Sequence, residues 1–111
     1  MEDRSIGREE YIQKVLDAYR QTPGTMGTVR LPDRLLAAQL QERGVPLASV
    51  ENALMLAASR RLLRPPGAPP LGTIRSLAYF SAVIEEVLEM RISPHYFQHL
   101  RQKLQRLTQT R

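Results

Sequence analysis

The sequence contains no cysteine and no long apolar run. Without thiols the chain can form neither a disulfide framework nor a thiolate zinc site. No stretch approaches the roughly 20 apolar residues that a membrane-spanning helix needs. The opening MEDRSIGREE is charged and has no apolar core, unlike a secretory signal. These absences favour a reducing, cytoplasmic setting and argue against a membrane partner.

The positive charge is concentrated at one end of the chain. A chain of 111 residues has the length of one domain, and its formal net charge is +5. Segment 91–111 carries five cationic residues and neither Asp nor Glu, so its charge equals that of the whole chain. A segment of one sign is typical of an anionic partner or of a solvated tail.

Three helices are predicted in the first half of the chain. Apolar residues recur at helical spacing from Gly7 to Gln21, and Thr22-Pro23-Gly24 ends the pattern. In the connector that follows, Thr28–Leu31 is compatible with a short extended piece. Pro32 suits the first turn of a second helix. Its apolar face is predicted to contain Leu35, Leu36 and Leu40.

Gly44 is predicted to end the second helix with a positive φ, and Pro46 to open a third. The segment Pro32–Leu63 therefore also has helix–turn–helix form. The first turns of the predicted third helix carry no cation and include Glu51, which would repel phosphates. An ordinary αα-hairpin is the favoured interpretation.

Two further helices follow a Pro/Gly-rich loop at Pro65–Gly72. The fourth helix is predicted to start near Thr73 as its N-cap and to end near Met90. Ser93-Pro94 is typical of an N-cap and N1 pair that opens a fifth helix. The fourth helix is apolar over more than half of its surface, so Tyr79 and Phe80 are predicted to pack in the core. The fifth has one apolar seam of Phe97, Leu100, Leu104 and Leu107.

The sequence thus predicts an all-α, single-domain bundle of about five helices. Residues 1–7 would form an N-terminal tail, residues 8–90 a helical core domain, and residues 91–111 a basic C-terminal helix. The fifth helix could pack on the core, or it could pair with another chain.

The order of these features resembles the helical DnaD/DnaB-type domain of replication initiation and primosome proteins. In that family an opening helix ends in Tyr, and a Gly-containing connector, a Gly-x-Pro turn and a helix with an Ile/Val-x-x-Ala-Leu core follow. The resemblance covers about residues 9–90, and Val87 stands where the family commonly has tryptophan. The matching pieces are Tyr19, Gly24 and Gly27, Gly44-Val45-Pro46, Val50 to Leu54, and Tyr79 to Ile84. The resemblance implies DNA binding in replication or in a mobile genetic element.

Two groups of residues are candidates for binding nucleic acid. Arginines flank the Pro/Gly-rich loop at both ends, and a loop that doubles back would bring them together for phosphate or carboxylate. Cations at a helix C-terminus also complement the helix dipole, which is an equally good reason for them. The fifth helix adds cations and one aromatic ring that could stack on bases. The candidates are Arg60, Arg61, Arg64, Arg75, Tyr96, Arg101, Lys103 and Arg106.

No catalytic or metal-binding pattern is present. His95 and His99 have the spacing of two zinc ligands on a helix, but no third ligand is near them in the sequence. Glu85, Glu86 and Glu89 lie close together rather than as a spaced catalytic pair. Neither a nucleophile–base arrangement nor a phosphate-binding glycine loop is found. We therefore expect a protein that is not an enzyme, without a cofactor, a metal or a small-molecule substrate.

Three functions are compatible with this reading. The first is a small nucleic-acid-binding accessory protein, with DNA favoured. The second is a helical small subunit of a ribonucleoprotein such as a CRISPR effector complex, in which the same arginines would act only within the assembly. The third is a protein-interaction module whose fifth helix binds a partner or a second copy.

Overall fold

The computed structural model describes residues 6–89 and 94–109, which form five α-helices and one 3₁₀ helix. Together they make an all-α, single-domain bundle, as the sequence predicts. No helix in these two ranges is long and apolar enough to cross a membrane. The elements are α1 (Arg8–Gln21), α2 (Leu31–Glu42), α3 (Leu47–Leu62), the 3₁₀ helix (Leu77–Phe80), α4 (Ser81–Glu89) and α5 (Pro94–Gln109).

Helix α3 is the centre of the bundle. Every residue from Ala53 to Ser59 is buried, because α1, α4 and α5 all pack around it. The alanines in this stretch allow those neighbours to approach closely. The recognition-helix alternative concerns the first turns of α3, where Ala48 and Glu51 are exposed and no cation is present. Gly44, in the turn between α2 and α3, has φ +75°, and α2 packs mainly on α1 rather than on α3.

The main core lies between α1, α2, α3 and the start of α4. Helix α1 contributes the predicted apolar face, in which Val15 and Tyr19 are completely buried. The Tyr11 hydroxyl donates a 2.7 Å hydrogen bond to the carbonyl oxygen of Val45, which ties α1 to the turn before α3. Helices α1, α2 and α3 each begin within one residue of the predicted start.

Helix α2 is rotated relative to the prediction. Leu35 was expected in the core, but 54% of its surface is exposed, and Ala37 and Leu40 form the buried stripe with Asp33. The reason is that the Asp33 carboxylate turns inward to accept a hydrogen bond from the backbone N–H of Leu77. This contact fixes which face of α2 is buried, and Leu35 lies on the opposite face.

The predicted start of the fourth helix near Thr73 is wrong. Ile74 is held in a short parallel pairing with the α1–α2 connector: its N–H donates to the Gly24 carbonyl at 2.8 Å, and its carbonyl accepts from the Met26 N–H at 3.0 Å. Helical structure begins only at Leu77, as a 3₁₀ turn, and becomes α-helical at Ser81. Of the segment Thr28–Leu31, Arg30 has extended backbone with φ −119° and ψ 170°, and Leu31 already belongs to α2.

The 3₁₀ turn separates two neighbouring aromatic residues. Its repeat of about three residues places Leu77 and Phe80 on one side, where both are completely buried. Tyr79 lies on the outer side with 50% of its surface exposed. The prediction of core packing is therefore confirmed for Phe80 and wrong for Tyr79.

Helix α5 packs on α3 through a second, smaller apolar cluster. Phe97 and Leu100 are buried against Met55 and Leu56 of α3. Leu104 is partly buried, and Leu107 at the end of the seam is exposed. The seam is thus largely covered within the chain. The predicted N-cap Ser93 and the predicted end of the fourth helix at Met90 lie outside the described residues, as does most of the 1–7 tail.

Candidate nucleic-acid interface

Arg60, near the end of α3, is paired with a carboxylate of the same chain. Its guanidinium binds Glu86 of α4 through both nitrogens, with Nη1 2.9 Å from Oε1. The hydrogen bond from Arg60 lowers the pKa of Glu86 below its ordinary value, so the carboxylate stays ionised. Arg60 therefore brings little net charge to a polyanion.

Arg61, near the end of α3, contacts both the Pro/Gly-rich loop and the 3₁₀ helix. Its Nη2 donates to the carbonyl oxygen of Gly72 at 2.8 Å, and its Nη1 donates to the Tyr79 hydroxyl at 3.1 Å. The guanidinium carbon also lies 5.7 Å from the centre of the Tyr79 ring, within cation–π range. All of these partners are uncharged, so Arg61 keeps its full positive charge.

Three of the four flanking arginines lie together because they are neighbours in sequence at the end of α3. Arg60, Arg61 and Arg64 line one depression of about 410 Å³, with Tyr79 and Leu71 beside them. Within the described residues Arg64 makes no ion pair or hydrogen bond. Arg75 lies elsewhere, next to Arg30, whose Nη2 donates to the Arg75 carbonyl oxygen at 3.4 Å. The arginines that line this depression thus all come from one end of the loop, and Arg75 from the other end does not join them.

Helix α5 carries three cations, and one of them, Arg101, lines a depression to which Glu51 of α3 also contributes. Arg101 and Arg106 are exposed and Lys103 is half-buried; within the described ranges none of the three makes an ion pair. Pro94–Gln109 contains no acidic residue. The apolar seam faces α3, so the cations occupy the flanks and the outside of the helix.

Tyr96 lies at the first turn of α5 with 46% of its surface exposed. Its ring meets Phe97 edge-on, with the ring centres 6.1 Å apart. Phe97 is buried in the seam, and its ring packs against that of Tyr96. Tyr96 lies on the same helix as Arg101, Lys103 and Arg106. A base could reach its exposed ring.

His95 and His99 are both exposed on α5. In residues 6–89 and 94–109 no group of three or more His, Cys, Asp or Glu side chains is placed to hold a metal ion. The described part of the chain thus offers no third ligand to the histidine pair.

Two ion pairs made by α4 are not evident from the sequence. Glu85 and Glu86 are recognisable as acids, but their arginine partners lie outside α4. Arg43 binds Glu85, with Nη1 2.8 Å from Oε2. Arg60 binds Glu86 in the same bidentate way. Sequence separations of 42 and 26 residues leave no local pattern that pairs them. Charge balance over the whole helix is the one available signal, since α4 has an excess of acid.

The chain matches no family model, no curated protein and no solved structure.

Proposed function

We propose that this protein is a small, non-enzymatic nucleic-acid-binding accessory protein that holds the phosphate backbone along α5. The observation that carries the proposal is the charge of α5. Arg101, Lys103 and Arg106 lie on a helix without a single acid; Arg101 and Arg106 are exposed and Lys103 is half-buried. Contacts of this kind are strong because each cation meets an ionised phosphate oxygen.

Such binding is expected to be mainly electrostatic and weakly selective for sequence. Cations spaced along one helix can follow a backbone, but they do not read base edges. Tyr96 would add one stacked base where the strand is unpaired, so single-stranded DNA would bind at least as well as duplex. The resemblance to DnaD-type domains supports a cytoplasmic role in replication or in a mobile genetic element, with DNA as the favoured ligand.

The arginines that flank the Pro/Gly-rich loop contribute less to nucleic-acid binding than their number indicates. Glu86 already binds Arg60, and Arg61 is occupied with Gly72 and Tyr79. Arg75 does not line the depression that the other three share. Arg61 and Arg64 keep their charges, but they border an apolar depression. The surface proposed for nucleic acid consists of Tyr96, Arg101, Lys103 and Arg106.

The proposal is tested by fluorescence anisotropy with labelled single-stranded and duplex DNA of mixed sequence, in low salt. Three phosphate contacts on duplex DNA give a log–log salt slope of about −2.7. A variant with Arg101→Gln, Lys103→Gln and Arg106→Gln should bind at least about tenfold more weakly, and its salt slope should be flatter.

The control variant combines Lys14→Gln, Arg20→Gln and Arg34→Gln, which removes the same charge from exposed positions of α1 and α2. It should retain most of the affinity. Equal losses in the two variants would show that net charge alone drives binding and that α5 is not the site. Absence of binding by the unaltered protein at low salt would refute the proposal altogether.

A further inference from the structure

The Pro/Gly-rich loop borders a groove made of two adjoining depressions. One has a volume of about 200 Å³ and reaches Pro23 and Gly24, and the other, of about 410 Å³, reaches Tyr79 and Val83. Both are lined by Arg61, Arg64 and Leu71, which form the ridge between them. We call the pair the loop groove.

The loop groove is cationic. No Asp or Glu lines either depression. Arg61 donates only to a carbonyl and a phenol oxygen, and Arg64 makes no ion pair within the described residues. Two guanidinium charges therefore remain uncompensated, while Glu86 neutralises that of Arg60 at the edge. An occupant must carry negative charge to match them.

The groove is also apolar between those charges. Its floor is formed by Ala57, Ala58 and Val83. Leu71 and Leu62 line it with 46% and 45% of their surfaces exposed, which is high for leucine beside a cavity. Burial of those surfaces requires aliphatic groups from the occupant.

We propose that the loop groove binds an extended acidic segment of a partner protein, in which carboxylates flank aliphatic side chains. The aliphatic side chains would fill the two depressions, and the carboxylates would pair with Arg61 and Arg64. A nucleic-acid strand matches the groove less well, because its sugars and phosphates have no aliphatic group to fill depressions of this size. The groove contains none of the candidate residues of α5, but it adjoins them: the depression lined by Arg101 shares Pro23 and Ala58 with the loop groove.

The groove is formed before any partner binds. Arg61 fixes the loop through Gly72, and the Ile74–Gly24 pairing fixes the chain that follows. Little ordering is then needed on binding, which favours affinity from a small contact. The Tyr79 hydroxyl accepts from Arg61, so its own hydrogen is available to a carboxylate of the partner.

The test is selection of a phage-displayed library of random short peptides on the full chain. Enriched peptides should share Asp or Glu next to Leu, Ile or Val. Their synthetic forms, titrated into ¹⁵N-labelled protein, should shift the amide signals of Arg64, Leu71 and Tyr79. Arg64→Glu should weaken binding at least about tenfold through charge repulsion. Leu71→Ser should weaken it as well, without affecting the fold, since Leu71 is exposed.

Arg34→Glu is the matched control, because it makes the same charge reversal at an exposed position of α2. It should leave peptide binding unchanged, and Arg64→Glu should leave DNA binding unchanged. The proposal is overturned if the library yields no acidic–aliphatic consensus, or if Arg34→Glu weakens binding as much as Arg64→Glu. It is also overturned if DNA, rather than peptide, shifts the loop-groove signals.

Discussion

The carboxylate of Asp33 accepts a 2.9 Å hydrogen bond from the backbone N–H of Leu77, 44 residues further along the chain. Its second oxygen accepts from the N–H of Arg30, also at 2.9 Å. One side chain thus caps the start of α2 and the start of the 3₁₀ helix together. Asp33 is only 2% exposed, so water cannot replace either bond.

Asp33→Ala should destabilise the protein by about 3 kcal/mol, because it leaves two backbone donors without an acceptor. Urea unfolding followed by circular dichroism measures this loss. The control is Asp17→Ala, which removes an exposed carboxylate paired with Arg20 and should cost less than about 1 kcal/mol. Equal losses in the two variants would show that Asp33 is not the link between the two helix starts.

Two buried tyrosines should respond to loss of their hydroxyls in opposite ways. The Tyr11 hydroxyl donates to Val45, and Tyr11→Phe should cost about 1 kcal/mol. The buried Tyr19 hydroxyl has no hydrogen-bond partner among residues 6–89 and 94–109, so Tyr19→Phe should be neutral or stabilising. Burial, together with the nearby Asp33 charge, raises the pKa of Tyr19, which keeps the phenol neutral. Thermal unfolding of both variants gives the comparison, and destabilisation by Tyr19→Phe would contradict it.

The two bidentate pairs of α4 should make stability depend on pH. Hydrogen bonds from Arg43 and Arg60 lower the pKa values of Glu85 and Glu86 in the folded protein. Groups whose folded pKa is lowered stabilise the fold above their unfolded pKa, and this contribution is lost as pH falls through the folded value. The contribution should therefore be complete at neutral pH and should decline below the ordinary carboxyl value of 4.5.

The variant Glu85→Gln, Glu86→Gln tests this. Its midpoint of thermal unfolding should be lower than that of the parent at pH 7, and the difference should shrink as the solution is acidified. Glu9→Gln with Glu51→Gln is the matched control, since both are exposed and make no ion pair with the described residues. A difference that stays constant with pH would rule out the pairs as its source.

Helix α5 should open independently of the main core. Phe97→Ala removes the largest side chain of the α3–α5 cluster, at a cost of about 3 kcal/mol. The loss should appear as faster hydrogen exchange in the amides of α5, while those of α1 and α3 remain protected. Leu107→Ala, at the exposed end of the same seam, should have a small effect. Uniformly faster exchange across all helices would show that α5 does not form a separate unit.

The sequence predicts most of the helices because their signals are local. Apolar spacing, Pro32, Gly44 and Pro46 each act within a few residues, and those boundaries are confirmed. The rotation of α2 and the late start of the fourth helix depend on Asp33–Leu77 and on Gly24–Ile74. These contacts join distant parts of the chain, so no window of neighbouring residues contains them.

The same distinction applies to the candidate site. The excess charge of α5 is a property of one segment and is evident from composition. The pairing of Arg60 with Glu86 and the use of Arg61 as a loop contact depend on how helices meet. Counting arginines around the loop therefore overstates their availability to an outside anion.

The packing of α5 has an electrostatic consequence for the whole molecule. Residues 1–90 contain eleven cationic and eleven acidic residues, so they carry no net charge, and segment 91–111 carries the entire +5. Arg101, Lys103 and Arg106 of α5 belong to this excess, and the packing of α5 on α3 gives that side of the molecule a positive potential. A polyanion would rotate the molecule during approach until that side leads, before any individual contact forms.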